Sequence, residues 1–567
     1  MVPASEFVRD RALERMGSER FDLLVVGGGI TGAGVALDAA ARGLSVALVE
    51  ARDWGSGTSS KSSKLVHGGL RYLQQRDYLL VREGLVERQR LLANAPHLVR
   101  PLAFLIPLFG RDGVVNRTVA KAYSTALWSY DVVGGMKIGM RHRRIDRAEA
   151  ARLFPPLRAE LLVAGFIYWD ARADDARLTL TVARTAADHG AVTANHAPVG
   201  ELLRDSHGKI NGAVLGASRA GNGPDTAGIR IEAGAVVNAS GVWADEVRQL
   251  GEPRTPTSLR PAKGVHITVP AARLRTEVAV VLPVPGDRRS IFVVPWGDHV
   301  YVGTTDTDYD GPLDDPRCTQ ADIAYLVSAV NTFVSEPISD SDVVATWAGL
   351  RPLVKEASTE RTADLSRRHH VSTSAHGLVT VTGGKLTTYR RMAADAVDAA
   401  LVQLGQGGRR RGRSPTKRLR LHGADDPEQV ASRLAGAVAA DVAAHLAGRH
   451  GTDAAAVAAL AGARPELGRP LVPGLPYLAA EAVWAAREEM AVSLEDVMAR
   501  RTRSVILDRD ATASAAPSVA EVVGAELGWD RTEQDRQVAE LRALLDSERR
   551  AAQLDAGSSG VAPATPA

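Results

Sequence analysis

Three glycines and a later glutamate are the residues of this sequence best suited to hold a phosphate-bearing cofactor. Gly27, Gly29 and Gly32 form Gly-x-Gly-x-x-Gly after the apolar run 23–26, and Glu50 follows about twenty residues on. A strand that feeds a helix through such glycines directs backbone N–H groups and the helix dipole at one point. A pyrophosphate fits there because no Cβ blocks it, and Glu50 can accept hydrogen bonds from a ribose. The motif predicts dinucleotide binding and leaves NAD and FAD as alternatives.

The elements that position these groups can be inferred from the surrounding residues. The continuous apolar runs 23–26 and 44–49 are typical of parallel strands buried on both faces. Residues 35–42 are rich in Ala and Leu and predict a helix, and Gly43 suits a left-handed position just after the end of that helix. The order strand, helix, strand is that of a nucleotide-binding α/β unit.

A polar, glycine-rich loop is predicted after the glutamate. Half of residues 54–73 are Gly, Ser or Thr, whose N–H and O–H groups can surround a polar ligand. A flexible linker would contain only Gly and Ser, whereas this segment also contains Lys61, Lys64, His67 and Arg71. The composition therefore favours a binding loop.

Two later segments repeat the pattern of strand, small-residue turn and helix. Residues 235–245 return the chain to the nucleotide-binding unit, and residues 377–395 close that unit with a double glycine and Lys385. The second of these segments would direct another helix N-terminus, with a cation beside it, at a ligand.

Composition sets limits on the class of protein. The chain has 567 residues, of which 45% are hydrophobic and 24% charged, as in a soluble globular protein with two or three domains. A net charge of +3 and a pI of about 8.9 suit an anionic substrate or membrane headgroups and do not require nucleic acid. Cys318 is the only cysteine, so we expect no disulfides and no thiolate metal site. Residues 1–20 lack a signal-peptide core, and no run approaches the roughly 20 apolar residues of a spanning helix.

Shifts in composition predict the domain organisation. The C-terminal region is Ala-rich with helical spacing, and it carries the capping-box patterns Ser518-x-x-Glu521 and Thr532-x-x-Asp535. The predicted parts are an N-terminal extension (1–20), an oxidoreductase region (21–405), a basic linker (406–420), a helical domain (421–550) and a disordered tail (551–567). Within the second part, the cofactor-binding portions are expected at about 21–95, 165–250 and 345–405, with substrate-binding portions between them.

Six segments, spread in order over about 370 residues, resemble those of the FAD-dependent glycerol-3-phosphate dehydrogenases. They are residues 27–34, 58–73, 237–243, 303–306, 349–353 and 383–390, and residues 494–503 of the helical region are also similar. The first segment is shared by many flavoproteins, whereas the second and the last are much more specific. The absence of an EF-hand loop is typical of the bacterial members.

This resemblance implies a fold and a reaction. The fold is an α/β FAD-binding Rossmann-like domain of the glutathione-reductase and D-amino-acid-oxidase type, with an interleaved mixed-sheet substrate domain and an all-α C-terminal domain. The cofactor is non-covalent FAD. The reaction is oxidation of sn-glycerol 3-phosphate to dihydroxyacetone phosphate in glycerol metabolism, with hydride passing from C2 to flavin N5 and electrons then to a membrane quinone.

The resemblance also implies roles for individual residues. The implied cofactor-binding residues are Gly27, Gly29, Ile30, Thr31, Gly32, Glu50, Thr58, Ser59, Ser60, Ser63, Lys64, Leu65, His67, Gly68, Gly69, Ala239, Ser240, Gly241, Trp243, Gly384, Lys385, Leu386 and Thr387. The implied substrate-binding residues are Arg71, Tyr72, His266, Thr305, Arg351, Arg367 and Lys385. Of these, His266, Arg351 and Lys385 are the expected catalytic residues, and no metal is expected.

Residue chemistry agrees with these roles. A phosphate dianion requires fixed cations, and Arg351 offers a bidentate fork that a lysine lacks. An imidazole titrates near pH 6.5, so His266 is the first candidate for the base that takes the hydroxyl proton. The other reading of His266 is a hydrogen-bonded strand histidine, and His67 is the alternative base.

Three functions remain open from the sequence. The first is a quinone-linked dehydrogenase, the second is an oxygen-using oxidase with the same site, and the third is a flavin-binding membrane module without turnover. The cation set of Arg71, Arg351 and Lys385 argues against the third, since an inactive site has no need of it.

A quinone acceptor implies a cytoplasmic protein that is held peripherally at the inner face of the plasma membrane. The resemblance also allows a homodimer. Two stretches are candidates for contact with anionic lipid: residues 98–130, which include Arg111, Arg117 and Lys121, and the basic run 409–420. Burial is the alternative for the first stretch, and a linker is the alternative for the second.

Overall fold

The structure is a computed structural model that describes residues 7–70, 77–110, 117–134, 139–218, 225–287, 289–355, 368–406 and 413–553, without the side chains of residues 117–120 and 122. The strands within these residues are β1 (Arg20–Val26), β2 (Val46–Val49), β3 (Leu65–Val66), β4 (Arg100–Phe109), β5 (Arg143–Asp146), β6 (Leu162–Arg172), β7 (Val192–Ala194), β8 (Val199–Arg204), β9 (Ile210–Leu215), β10 (Arg230–Asn238), β11 (Leu259–Pro270), β12 (Ala279–Pro283), β13 (Ser290–Trp296), β14 (His299–Gly303), β15 (Thr307–Asp308), β16 (Ala345–Val354), β17 (His369–Thr373) and β18 (Val379–Gly383). The α-helices are α1 (Arg9–Ser18), α2 (Ile30–Ala41), α3 (Tyr78–Asn94), α4 (Arg117–Val133), α5 (Arg147–Leu153), α6 (Asp175–Asp188), α7 (Ala244–Gly251), α8 (Gln320–Asn331), α9 (Tyr389–Gln403), α10 (Pro427–Arg433), α11 (Ala440–His450), α12 (Ala454–Ala463), α13 (Ala479–Glu488), α14 (Ser504–Leu507), α15 (Arg509–Leu527) and α16 (Arg531–Ala552).

The first sheet is the predicted nucleotide-binding sheet. Its main path runs β17-β18-β10-β1-β2-β7, and the hairpin β8–β9 joins it along β10. The pairs of β1 with β2 and with β10 are parallel, so that Leu23 lies beside both Val46 and Ala235. Because β1 is buried on both faces, its apolar run packs against α2, α6 and α9 on one side and against α1 on the other.

The glycine motif folds as its residue types predict. Gly27 has φ of +108°, in the region open to glycine, and α2 begins at Ile30. A Cβ on Gly32 would lie 1.8 Å from the carbonyl oxygen of Gly27, so only glycine allows helix and strand to approach so closely. Gly43 follows the helix with φ of +78°, as expected of a left-handed residue there.

The second sheet is the predicted mixed substrate-domain sheet. It runs β15-β11-β14-β13-β12-β4-β6-β3, with β16 also paired to β11 and β5 to β6. Strands β6 and β16 belong to this sheet, so the portions expected for the cofactor domain at about 165–250 and 345–405 each begin with a strand of the other sheet. The chain passes between the two sheets several times, and this brings the middle of β11 and of β16 next to the polar loop after Glu50.

The C-terminal region is helical, as predicted. Helices α10 to α16 pack around an apolar cluster that also reaches the second sheet. The predicted capping boxes are wrong: Ser518 and Thr532 both lie inside helices, in α15 and α16. The helix-capping acceptors are Asp508, which binds Ala511 N, and Asp530, which binds Glu533 N, because both carboxylates precede the first turn and meet the unpaired N–H groups there.

The basic run before this domain is partly described. Residues 407–412 lie outside the described residues, as do residues 554–567 of the expected tail. Pro415–Arg418 forms a short 3₁₀ turn, and Thr416 is buried there with its hydroxyl 3.1 Å from Asp38 of α2. The end of the expected linker is therefore packed on the nucleotide-binding domain.

Residues 98–130 contain a buried strand and a helix. In β4, residues 104–108 are buried between β6 and β12, where the sheet excludes them from any lipid. In α4, Tyr130 is buried whereas Trp128 is exposed, so this helix has one inner and one outer face. No helix in the described parts of the chain has both the length and the apolar character of a bilayer span.

A charged histidine joins the C-terminal domain to the first. His422 Nδ1 lies 2.7 Å from Asp188 Oδ2, and His422 Nε2 lies 2.9 Å from Asp453 Oδ2. Burial alone would lower the pKa of His422, but hydrogen bonds to the two carboxylates outweigh burial and raise that pKa to about 9.

This histidine should make stability fall at alkaline pH. Because the folded-state pKa is raised, its stabilising effect is complete below the unfolded value near 6.5 and is lost as pH rises through about 9. We expect His422→Gln to lower the Tm more at pH 6 than at pH 10. The corresponding loss of unfolding free energy should be larger at pH 6 by on the order of 2 kcal/mol. The exposed His189 is the control, and His189→Gln should show no such difference. An equal Tm loss at both pH values would contradict the interpretation.

Candidate functional site

A cavity of about 500 Å³ runs along the carboxyl ends of the strands of the first sheet. The predicted cofactor-binding residues that line it are Gly27, Gly29, Ile30, Thr31, Glu50, Thr58, Ser59, Ala239, Ser240, Gly241, Trp243, Gly384, Lys385 and Leu386. Ligands of doubly wound sheets bind at this edge, and the volume suits a large cofactor.

The glycine turn forms one wall of the cavity. Helix α2 begins there, so its unpaired N–H groups and positive dipole end face the cavity. Ser59 Oγ lies 2.9 Å from Ile30 N and ties the polar loop to this turn. A Cβ on Gly29 would lie 3.1 Å from Ser59 Oγ, with the cavity as the space around it. The turn is thus a cradle that a side chain would fill, which fits the pyrophosphate of FAD.

Glu50 lies in the cavity wall at the end of β2. Its two carboxylate oxygens accept hydrogen bonds from Gly28 N at 2.5 Å and from Arg52 N at 2.9 Å. Burial raises the pKa of Glu50, and the two backbone N–H groups partly oppose that effect. These bonds fix the direction of the carboxylate, and each oxygen retains a lone pair with which to accept a ribose hydroxyl.

The other side of the cavity contains residues that were not predicted from the sequence. Asp314 accepts a hydrogen bond from Arg52 and another, at 2.9 Å, from Trp243 Nε1. The Arg52 guanidinium also lies 5.1 Å from the centre of the Trp243 ring. Adjacency to Glu50 could have indicated Arg52, but no local signal connects Asp314 with a motif that is more than 250 residues away.

The double glycine before α9 also lines the cavity. Gly383 and Gly384 have φ of +73° and +84°, and they lead through Lys385 into the 3₁₀ turn Leu386–Thr388. The hydroxyl of Thr387 accepts a hydrogen bond of 3.1 Å from His67 N. A second helix N-terminus, with Lys385 beside it, therefore faces the same cavity as the first.

Several predicted cofactor residues lie behind the cavity wall rather than in it. Lys64 is buried and bonded to Asp175, Ser63 is bonded to His266, and Gly68 N donates to Tyr130 Oη at 2.9 Å. The predicted residues outside the cavity lining are Gly32, Ser60, Ser63, Lys64, Leu65, His67, Gly68, Gly69 and Thr387. Ser62, which was not predicted, does line the cavity.

His266 is enclosed by its neighbours in the second sheet. Its ring stacks on Trp347 of β16, with centroids 4.6 Å apart and planes 6° apart. On the other side lies Gly303 of β14, where a Cβ would come within 2.1 Å of the ring. Nε2 lies 2.8 Å from Ser63 Oγ, so the polar loop orients the imidazole.

The protonation state of His266 follows from this enclosure. Burial, and then the charges of Lys64 and Arg351, hold the pKa of His266 well below its usual range. The ring is therefore neutral at neutral pH. Its buried Nδ1 has no hydrogen-bond partner among the described residues.

Arg351 extends from β16 toward the turn between β14 and β15. Nη1 lies 3.0 Å from Asp306 Oδ1, and Nη2 lies 3.2 Å from Thr304 Oγ1 and 3.1 Å from the carbonyl oxygen of Thr305. The guanidinium also lies over Gly264, where a Cβ would come within 2.4 Å of it. These contacts fix the orientation of the fork before any ligand binds.

Of the remaining predicted substrate residues, the structure describes Thr305 but not Arg71, Tyr72 or Arg367. Thr305 is buried, and its hydroxyl accepts a hydrogen bond of 3.0 Å from Val265 N. Arg71, Tyr72 and Arg367 lie outside the described residues. Of the four predicted anion-binding cations, Arg351 and Lys385 are therefore the two that the structure describes.

Comparison with known proteins identifies the family. A family model described as FAD dependent oxidoreductase matches residues 22–390, and one described as C-terminal domain of alpha-glycerophosphate oxidase matches residues 414–534. The chain is 43% identical over 545 residues to Glycerol-3-phosphate dehydrogenase 2 of Mycobacterium tuberculosis, covering 95% of this chain and 90% of the relative.

More distant relatives agree. Human mitochondrial glycerol-3-phosphate dehydrogenase is 36% identical, covering 93% of this chain and 73% of the relative. The crystal structure of the glycerol-3-phosphate dehydrogenase from Bacillus halodurans, complexed with FAD, has a TM-score of 0.77 and 31% identity, covering 96% of this chain and 98% of that one. The resemblance found in the motifs is confirmed: the chain belongs to the FAD-dependent glycerol-3-phosphate dehydrogenases.

Proposed function

We propose that this dehydrogenase passes the electrons of sn-glycerol 3-phosphate to a quinone in an adjoining membrane, with its own side chains binding the phosphate and accepting the hydroxyl proton. The observation that supports a membrane quinone as the electron acceptor is an exposed apolar face on α3 and α4. The buried side of α4 bonds through Tyr130 to Gly68 of the polar loop, and other residues of that loop line the FAD cavity.

The substrate phosphate is proposed to bind at Arg351 and Lys385. When bound, FAD supplies the acceptor for the hydride of C2, and the protein orients and polarises the substrate. Asp306 and Thr304 hold the Arg351 guanidinium in place, so little conformational entropy is lost when a phosphate binds to it. Lys385 adds a point charge beside the start of α9, where the helix dipole also favours an anion. Arg71, Tyr72 and Arg367 complete the proposed set.

His266 is the proposed base. A neutral imidazole is the form that can accept a proton, and the lowered pKa of His266 keeps the ring in that form. The hydrogen bond with Ser63 and the stacking on Trp347 fix its plane. His67, whose backbone is held by Thr387, is the alternative base.

Replacing Arg351 by lysine should weaken substrate binding. A lysine cannot keep the bonds to Asp306 and Thr304 while presenting a second donor to phosphate. We expect KM to rise and kcat/KM for glycerol 3-phosphate to fall by roughly 1.5–3 kcal/mol, about 10- to 150-fold. Steady-state kinetics with a soluble dye measure the change. Glycerol should be a very poor substrate of the unmodified protein, and a kcat/KM for glycerol equal to that for the phosphate ester would exclude the anion site.

The proposed membrane face combines apolar and basic residues. Its apolar members are Tyr78, Leu79, Trp128, Val132 and Met140, which are exposed by 54%, 70%, 65%, 54% and 39%. The segment after Met140 is tied to α4 because His142 N donates to Asp131 Oδ2 at 3.0 Å. Arg141 and Arg144 in that segment are exposed, as is Lys121 on α4. Interfacial binding sites combine such apolar and cationic groups.

Truncating this face should release the protein from vesicles. Each large apolar side chain that enters the interface contributes about 1.5–3 kcal/mol, so Trp128→Ser with Val132→Ser should lower vesicle binding at least tenfold. Turnover with a membrane quinone should fall, while turnover with a soluble dye should not change. Val402 is exposed by 62% on α9, and Val402→Ser is the control. If quinone and dye turnover fell in parallel, the face would serve folding rather than docking.

Raised salt tests the basic part of the same face. Each Lys or Arg near an anionic surface contributes about 1 kcal/mol, and that attraction is screened over about 10 Å at 0.1 M salt. Binding to anionic vesicles should therefore weaken as salt rises. Arg111 and the side chain of Arg117, which the sequence also indicated, lie outside the described residues.

Oxygen is the second candidate acceptor. It is favoured by one observation, the match of residues 414–534 to the C-terminal domain of alpha-glycerophosphate oxidase. An oxygen electrode separates the two functions, because a quinone-linked enzyme should consume oxygen far more slowly than it reduces quinone.

A further inference from the structure

Three buried charged groups meet behind the polar loop, and one of them comes from the C-terminal domain. Asp175, the first residue of α6, accepts from Lys64 Nζ at 3.1 Å and from Arg503 Nη2 at 3.1 Å. The exposed fractions of Asp175, Lys64 and Arg503 are 0%, 1% and 1%. Charges so deeply buried are costly unless they are paired, and here one carboxylate pairs with two cations.

We define residues 58–64 as the serine loop, of which Lys64 is the last residue. Asp175 and Arg503 bond to this loop from outside, and Lys64 bonds within it. The carbonyl oxygen of Ser60 accepts from Arg503 Nη2 at 2.6 Å and from Lys64 Nζ at 3.2 Å. Asp175 Oδ2 accepts from Ser62 N at 2.9 Å and from Ser62 Oγ at 2.7 Å. The serine loop contains only Thr, Ser and Lys, so burial of apolar surface cannot fix it. Its position depends on these polar bonds.

The backbone at two of the three groups is also unusual. Lys64 and Arg503 have φ of +56° and +66°, in the left-handed region that residues with a Cβ avoid. Such a conformation persists only where the surroundings over-determine it, and it is common near functional sites. Both residues adopt it where their side chains turn toward Asp175.

The opposite side of the serine loop faces the cofactor and the proposed base. Thr58, Ser59 and Ser62 line the cavity. Ser63 Oγ lies 2.8 Å from His266 Nε2, and Ser62 O accepts from Trp347 Nε1 at 3.3 Å. The loop is therefore a single layer between the buried charges and the FAD cavity.

We propose that Arg503, Asp175 and Lys64 are positioning residues through which the C-terminal domain holds the serine loop against FAD and against His266. None of the three side chains lines the cavity itself. Asp175 reaches the cavity wall only through its bonds to Ser62. A change at Arg503 should loosen FAD by releasing the loop, although Arg503 belongs to a different domain.

The charge of Lys64 provides a distinctive readout. The groups that face it are Arg503, Asp174, Asp175 and His266. Burial and Arg503 lower the pKa of Lys64 to about 8, against the opposing effect of Asp175. As pH rises through about 8, Lys64 loses its proton and its charged bond to Ser60, so the holoenzyme should release FAD faster.

The test measures the rate at which the holoenzyme releases FAD after dilution, by the gain in flavin fluorescence, between pH 6 and pH 9.5. We expect Arg503→Gln to speed FAD release about 10- to 100-fold, because the variant loses the charged hydrogen bonds to Ser60 and Asp175. It should also move the pH midpoint upward, because a repelling charge beside Lys64 has gone. Asp175→Asn should move the midpoint downward, because an attracting charge has gone.

The matched control is another C-terminal arginine. Arg487 is an exposed side chain that bonds to Glu526 at 2.6 Å, so Arg487→Gln should leave release rate and midpoint unchanged. If Asp175→Asn fails to fold, Ser62→Ala keeps the ion pairs and removes the hydroxyl that donates to Asp175 and accepts from Lys64 N, and release should still quicken. The proposal would be overturned if the midpoints moved in the same direction in the Arg503 and Asp175 variants. It would also be overturned if Arg503→Gln or Ser62→Ala released FAD no faster than Arg487→Gln.

Discussion

A Gly29→Val variant should fold but be purified without FAD. The Cβ position of Gly29 lies 3.1 Å from Ser59 Oγ, and the added methyl groups would project into the cavity beside the N-terminus of α2. The pyrophosphate would lose both its space and the N–H groups that neutralise its charge. The ratio of flavin to protein absorbance after purification measures the loss.

A control separates this effect from glycine substitution in general. A Cβ on Gly462 of α12 would meet no atom within 4 Å beyond the backbone of its own helix and its chain neighbours, so Gly462→Val should retain its flavin. Gly32 is a poor test, because its Cβ would meet the Gly27 carbonyl at 1.8 Å and disrupt the turn itself. A yellow Gly29→Val protein with full flavin occupancy would falsify the pyrophosphate assignment.

The second large effect is expected at His266. Loss of a general base typically costs about 10²- to 10⁴-fold in rate, so His266→Asn should lower kcat by that factor while FAD stays bound. Asparagine can still bond to Ser63 but cannot take a proton near neutral pH. The rate constant of flavin reduction by glycerol 3-phosphate, followed anaerobically, measures the change.

The dependence of kcat on pH tests the same assignment. The pKa of His266 is held below its usual value near 6.5, so the base form persists as pH falls, and kcat should decline only below about pH 6.5. His67→Asn is the companion variant. If it lost the rate while His266→Asn kept it, the base would be His67 and His266 a structural histidine.

Local sequence predicted the glycine turn, Glu50 and the second helix N-terminus, because each depends on residues close together in the chain. Gly27 and Gly43 have positive φ, and a Cβ on Gly32 would meet the carbonyl oxygen of Gly27 five residues earlier. The same holds for Gly384, which follows β18 directly and lines the cavity.

Sequence could not predict contacts that depend on strand register or on domain packing. The stacking of His266 on Trp347 follows from the pairing of β11 with β16, which no motif specifies. Lys64 was assigned to the cofactor because it lies in a binding motif, yet its partners Asp175 and Arg503 are 111 and more than 400 residues away. The predicted helix caps failed for a different reason: Asp508 and Asp530 were closer to the true helix starts than the Ser and Thr patterns.

The most direct test of the proposed site is anaerobic mixing of the purified holoenzyme with sn-glycerol 3-phosphate. If Arg351 and Lys385 bind the phosphate and His266 takes the hydroxyl proton, the hydride of C2 should reduce the flavin and bleach its yellow colour. An equal concentration of glycerol should leave it yellow. Admission of a quinone should then restore the colour faster than admission of air. A flavin that stays yellow with glycerol 3-phosphate, while dithionite bleaches it, would contradict the account.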